Sequence, residues 1–312
     1  MALKGLKVPL LKLILFGGKG GVGKTTCACS TALYLAEDFK TLLFSTDPAH
    51  SLADSLGQTI GDQVKQVKGI KNLSALEVNA EKALAKFKIE HQDQLKKIID
   101  TGTNLDAEDI DSVLSLPIPG MDEMMGLKTM VDLIEEAAFE KYVVDTAPTG
   151  HALRLLSSHR LLDDWIKVMA KMRWKYRYMV ETFAGRYNPD GGDDFLLTMK
   201  KTVKRMEDLL RDQNRSEFIA VTIPEEMAIA ETERLMNSLG KYGIKVRQLV
   251  INNVVESNDC KFCRQKRKEQ DNYISQMRRK FSELSTTIIP SQPHEVKGLG
   301  TLANFKDLLF NP

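Results

Sequence analysis

The stretch GGKGGVGKTT, residues 17–26, constrains this chain more than any other. It follows the apolar run LKLILF (11–16) and opens a segment with helical character, so it joins a predicted strand to a predicted helix. The pattern G-x-x-x-x-G-K-[ST] is filled by Gly18, Gly23, Lys24 and Thr25. Glycines let the backbone curl until successive N–H groups converge on phosphate oxygens. Lys24 adds a point charge at the β and γ phosphates, and the Thr25 hydroxyl is suited to ligate Mg²⁺. The helix that follows turns its positive end toward the same anion. Lys19, Gly20, Gly21, Val22 and Thr26 complete the candidate cradle.

Short apolar runs recur along the chain: TLLFS (41–45), LSALEV (73–78), YVVD (142–145), EFIAVT (217–222), VRQLVIN (246–252) and TTIIP (286–290). They are rich in branched side chains and lack alternation, as strands covered on both faces do. Helix-length segments separate them, which predicts an α/β fold with a mostly parallel sheet flanked by helices. The expected organisation is one phosphate-loop domain over 1–312. Two intervals, about 80–140 and 151–212, are too long for simple crossovers and predict an inserted helical subdomain. NPDGGDD (188–194) reads as a loop.

Lys plus Arg number 44 against 42 Asp plus Glu, so no global field points to nucleic acid or an anionic membrane. The N-terminal run VPLLKLILF (8–16) is far short of the roughly 20 residues of a membrane span and has no signal-peptide cleavage pattern. A cytoplasmic protein that is not integral to the membrane is expected. Four cysteines, two of them close together at Cys27 and Cys29, do not make a disulfide framework.

Two strand ends carry carboxylates. STDPAHSLADSLG (45–57) places Asp47 after the second predicted strand, and VVDTAPTGHALRLL (143–156) places Asp145 at the end of the fourth. Ligands bind at the carboxyl ends of strands in open parallel sheets. Asp145 suits a magnesium-linked carboxylate and leaves Asp47 to orient water, although a strand-ending Asp can also be a turn or cap residue. His151, a single histidine in the second segment, reads as structural.

Together GGKGGVGKTT, DPAHSL, DTAPTGHALR, IPEEMAIAETERL (223–235), VINN (250–253) and PSQPHEVKGL (290–299) resemble the arsenical-pump ATPase family in order and spacing. The resemblance is strongest to the branch that targets tail-anchored membrane proteins. It implies ATP hydrolysis by a Mg²⁺-dependent homodimer, with Asp47 activating water and Glu225 and Asn252 contacting nucleotide. It places the segment from Pro290 through Pro293 and Glu295 to Lys297 around the base. Lys19, the extra lysine of this loop form, is implied to reach the partner subunit's nucleotide as an arginine finger would. A solvated loop lysine is the alternative. The same resemblance implies tail-anchored clients and a membrane receptor as partners.

The stretch NDCKFCRQK (258–266) holds Cys260 and Cys263, and no second C-x-x-C exists. A tetrahedral thiolate site needs four ligands. In the targeting branch one pair from each subunit meets at a two-fold axis and shares Zn²⁺, which suits the arithmetic of two thiolates per chain. A redox disulfide is the rival reading. Lys261, Arg264, Lys266 and Arg267 are expected to lower the thiol pKa values in either role.

Nine of the 13 methionines fall between Met121 and Met206. Leu162, Trp165, Ile166, Met169, Met172, Tyr176, Met179, Val180 and Phe183 recur at helical spacing, and Phe195, Leu196, Met199, Val203, Met206 and Leu210 do so in the next segment. Two amphipathic helices packed on their own core would explain this. Methionine also suits surfaces that adapt to varied apolar partners. KMRWKYRYM (171–179) puts Trp174 and Tyr178 off the main stripe, so a second apolar face is expected. A client groove is therefore anticipated from Met121, Met124, Met125, Trp165, Met169, Met172, Met179, Phe183, Met199 and Met206. RNA binding through the same aromatics and cations lacks a supporting fold, so no nucleic acid is expected.

Two other activities compete with client shielding. An arsenite efflux ATPase typically has two fused halves and metalloid-binding cysteines, whereas no cysteine lies between Cys29 and Cys260. Iron–sulfur carriers share the lysine-rich loop and a bridging C-x-x-C but lack the DPAHS and DTAPTGH segments.

Overall fold

Eight strands form one sheet in a computed structural model that describes residues 3–46, 51–102, 106–115, 121–146, 149–184, 186, 191–256 and 260–311. In chain order they are β1 (Leu13–Gly17), β2 (Thr41–Ser45), β3 (Lys65–Gln66), β4 (Leu73–Glu77), β5 (Lys141–Asp145), β6 (Ser216–Thr222), β7 (Val246–Val254) and β8 (Ser285–Pro290). The spatial order is β3-β4-β2-β5-β1-β6-β7-β8, parallel throughout except for β3 on β4. Seven strands coincide with the predicted runs to within two residues. The addition is β3, an exposed two-residue edge with no hydrophobic pattern to announce it. It makes the Asp145 strand the fifth.

β1, β2, β5 and β6 are buried along their whole length, which accounts for their unbroken apolar character. The chain passes from β1 to β2 on one side, returns to β5, and only then crosses to β6 on the other. The carboxyl ends of β1 and β5 therefore border the crevice where such sheets bind ligands. Register pairs Phe16 with Asp145 and Ser45 with Asp145, so the carboxylate stands beside the point where β1 becomes loop.

Contacts divide the chain into two units. The first contains 1–79, 132–156 and 209–312. Beside the sheet it holds α1 (Lys24–Leu35), α2 (Ser51–Leu56), α9 (Glu226–Lys241), α10 (Lys261–Lys280) and α11 (Leu299–Phe310). Its largest core joins α1 and α11 to one face of the sheet, and Tyr34 stacks on Phe310 with ring centroids 3.8 Å apart. At the sheet's far end, buried Lys141 donates to the carbonyls of Val8 (2.6 Å) and Leu11, fixing the N-terminal arm. Burying an ammonium requires such acceptors.

The second unit contains 80–131 and 157–208 and is helical. It draws on α3 (Ala80–Glu90), α4 (Gln92–Gly102), α5 (Ala107–Ser115), α6 (Met121–Glu135), α7 (Thr149–Ala184) and α8 (Gly191–Arg211). Phe87, Leu95, Ile98, Met125, Ile166, Phe195, Leu196, Met199 and Val203 form its core. His91 lies between Phe87 and Phe195, its ring 4.7 and 5.0 Å from theirs. Among the described residues, no helix is long and apolar enough to cross a membrane.

Candidate nucleotide site

The loop after β1 reaches α1 through glycines whose conformation matters. Gly21 and Gly23 have φ of 77° and 96°, the left-handed region that L side chains avoid. Gly23 caps α1 without a side-chain hydrogen bond, so the helix presents its first N–H groups without a competing side-chain acceptor. A Cβ on Gly18 would collide with the Val221 carbonyl, and one on Gly23 with the Asn252 amide. The cradle is thus held against β6 and β7 by close backbone approach.

Lys24 is 6% exposed, and its ammonium crosses the loop to the Lys19 carbonyl at 3.1 Å. The ammonium is thereby held over the curled segment that the glycines shape. Lys19 is half-buried, Gly20 and Gly21 are exposed, and Val22 packs into the core. Thr25 and Thr26, on the first turn of α1, are half-buried.

The Thr25 hydroxyl donates to Asp145 Oδ2 across 2.7 Å. Ser51 joins them, its hydroxyl 3.3 Å from Thr25 Oγ1 and 3.4 Å from Asp145 Oδ2. Hard oxygen ligands on a hydroxyl and a carboxylate, next to a phosphate cradle, fit Mg²⁺. The Asp145 side chain is fully buried and aimed at Thr25, as a magnesium-linked carboxylate would be.

The remaining predicted nucleotide residues scatter in role. Asn252 donates from Nδ2 to the Val22 carbonyl at 2.9 Å, bracing the loop from below. Glu225 is the exposed N-cap of α9 and makes no side-chain capping bond. After β8 the chain turns at Pro290, whose carbonyl accepts from Gln292 Nε2 at 2.8 Å, while Pro293, Glu295 and Lys297 are exposed. Gly298 N–H then bonds the Ser55 carbonyl at 2.8 Å, tying this segment to α2. Asp47, and the side chain of His151, lie outside the described residues.

Two contributors escaped sequence reasoning. Ser51 begins α2, and its serine hydroxyl gave no signal apart from lying in the Asp47 segment. Glu77 ends β4 as a buried carboxylate and accepts from the Ala53 N–H at 3.0 Å, anchoring α2. An acid closing the apolar run LSALE was the available clue.

Cys260 is the exposed N-cap of α10, and its sulfur accepts from the Cys263 N–H at 3.5 Å. The neighbouring cations are not what lowers its pKa, contrary to expectation. The Cys263 N–H lowers it most, followed by the Cys263 side chain, with the Phe262 N–H adding to the effect, as at a helix N-terminus. Lys266 and Arg267 instead pair with Glu269 and Asp271. Two thiols per chain supply half of a tetrahedral set, and the described residues contain no cluster of three His, Cys, Asp or Glu. Cys27 and Cys29 are fully buried in the core, and burial pushes both thiols well above their ordinary value.

The anticipated client groove needs correction. Met125, Met199 and Met206 are 2%, 2% and 0% exposed; the first two belong to the helical unit's own core, because side chains at their positions fill the space between packed helices. Met169 is half-buried against that core. Met179 is exposed and Phe183 is 86% exposed. Trp174 and Tyr178, stacked 6.0 Å apart, are also exposed. Arg173 occupies the inner seam instead, buried and paired with Asp193 at 3.1 Å. The side chains of Met121, Met124, Trp165 and Met172 lie outside the described residues.

Comparison with known proteins gives a consistent picture. The family described as Anion-transporting ATPase matches residues 11–311. "ATPase ASNA1 homolog 1" of Paramecium tetraurelia is 36% identical over 312 residues, covering 97% of this chain and 93% of the relative. "ATPase ASNA1 homolog 2" of the same organism is 36% identical, covering 98% and 96%. "ATPase get3" of Neurospora crassa is 32% identical, covering 97% and 91%.

Proposed function

This chain belongs to the anion-transporting ATPase family, and within it we propose that the protein shields the transmembrane helix of tail-anchored clients and releases it on ATP hydrolysis. ATP hydrolysis follows from the family. The observation that carries the shielding role is the exposure of Met179 and Phe183 on the main apolar stripe of α7, with Trp174 and Tyr178 exposed on a second face, on a helix whose unit has a core of its own. An apolar face with no use inside its own unit suits an apolar helix from outside.

In this reading two copies act together. Gly18 to Thr26 wrap the phosphates, Lys24 neutralises charge at the transferring phosphoryl group, and Lys19 does so for the partner copy. Thr25 and Asp145 would hold Mg²⁺, which supplies further charge neutralisation there. Asp47 orients water. Glu225, Asn252 and the Pro290–Lys297 segment contact the rest of the nucleotide, and Asn252 also braces the loop. Cys260 and Cys263 of each copy would share Zn²⁺, so loss of both thiols weakens the dimer. Clients meet the protein in the cytoplasm, and delivery needs a membrane receptor.

Arsenite transport is disfavoured because no cysteine lies between Cys29 and Cys260. Co-expression with a model tail-anchored protein tests the proposal. A soluble complex that dissociates on ATP turnover supports it. Failure to retain any such client, with ATPase activity intact and stimulated by arsenite, overturns it.

A further inference from the structure

α10 concentrates charge in a chain that has little net charge. It carries eight cations against two carboxylates, Glu269 and Asp271, while the whole chain is only +2. Its buried face is set by Gln270, Ile274 and Met277. At about 100° per residue, the opposite face is Lys261, Arg264, Lys268 and Arg279, with uncharged Gln265, Asn272, Ser275 and Gln276 between them. All eight are exposed.

The two carboxylates lie on the flanks and engage the flanking cations, Glu269 with Lys266 and Asp271 with Arg267. Lys280 pairs with Glu233 of α9. Among the described residues, the four outward cations take part in no ion pair. They extend over about 27 Å of helix at 1.5 Å per residue. Phe262, 73% exposed, lies on the flank of the first turn, about 100° around the helix from Lys261. Cys263 points to the other side of the helix, and Lys268 and Arg279 lie one or more turns beyond the cysteines.

We propose that this stripe docks α10 flat onto an anionic phospholipid surface. Charge complementarity argues for an anionic partner. A single convex line of cations fits a broad planar surface. The choice of a bilayer rests on the targeting role, which brings the protein to a membrane.

Co-sedimentation with phosphatidylcholine vesicles, with and without phosphatidylserine, tests this. The wild type binds only the phosphatidylserine vesicles, and added salt releases it. Lys268→Gln with Arg279→Gln, both remote from the cysteines, weakens binding by about fivefold per cation removed. Lys200→Gln with Lys201→Gln on α8 matches the charge change and leaves binding intact. ATP turnover stays normal in both variants, which shows that they are folded. Equal losses in both variants, or no vesicle binding by a wild type that retains clients, overturn the stripe while leaving the client reading standing. Binding to duplex DNA or to an acidic polypeptide, without vesicle binding, overturns it in favour of that partner.

Discussion

Thr25 on α1 and Asp145 at the end of β5 lie 120 residues apart in sequence, yet the hydroxyl of one donates to the carboxylate of the other across 2.7 Å. Parallel pairing of β1 with β5 creates that meeting, because it aligns Phe16 with Asp145 just before the loop begins. Asp145→Asn keeps the shape and removes the charge. ATP turnover should fall by about 10² or more, as when one preorganised charge-stabilising group is lost. Excess Mg²⁺ should restore little of it.

Lys24 and Lys19 should fail differently. Lys24→Ala loses both nucleotide affinity and turnover, since its ammonium spans the loop. Lys19→Ala is expected to keep binding and lose turnover, by up to the 10³-fold scale of a charge supplied in trans. Mixing the two inactive variants should restore partial activity, because each mixed dimer pairs an intact Lys24 loop with the partner's intact Lys19. Steady-state ATPase assays of the mixture check this. No recovery on mixing would confine Lys19 to its own subunit.

Gly23→Ala tests the cradle. The new methyl group meets the Asn252 amide at a backbone φ that alanine disfavours. Nucleotide binding by titration calorimetry should weaken, with a backbone cost of about 1–2 kcal/mol. Adding Asn252→Ala removes the collision but not the φ strain, so recovery should be partial.

The phosphate loop was readable because its chemistry demands glycine where the backbone turns or approaches another strand closely. Strands buried on both faces were readable from their branched apolar runs. Two residues of β3 offered no pattern to read. The helical unit shows a different limit: three- and four-residue spacing locates a stripe without saying which way it faces. Met199 turned inward while Phe183 turned outward, and Arg173 occupied the seam because Asp193 could partner it there. Asn252 was read as a nucleotide contact, and three-dimensional packing adds that its amide donates to the Val22 carbonyl of the loop.

His91 gives the helical unit a pH dependence. Burial among aromatic rings lowers its pKa below the ordinary 6.5, with Glu90 opposing and Lys128 assisting. As pH falls below 6.5 the unfolded chain binds a proton that the folded unit resists, so stability falls in that direction. Denaturant midpoints between neutral and mildly acidic pH should show this. His91→Phe should flatten the His91 part of the profile and leave the protein at least as stable at the acidic end.

Iodoacetamide should distinguish the two cysteine pairs. In metal-free folded protein Cys260 should react at lower pH than an ordinary thiol, because the Cys263 N–H stabilises its thiolate. Cys27 and Cys29, buried and held protonated, should label only after denaturation. Mass spectrometry of labelled peptides reads both.

Shielding of a client helix by the outer face of α7 is the claim on which the functional account turns. Its sharpest measurement is photocrosslinking in a complex with a tail-anchored protein, from a photoreactive residue placed at Phe183 and, as a buried control, at Met206. The account predicts adducts with the client's transmembrane segment from position 183, lost when that segment is deleted, and none from position 206. Adducts from 206 equal to those from 183, or none from 183 in a complex that still forms, would contradict it.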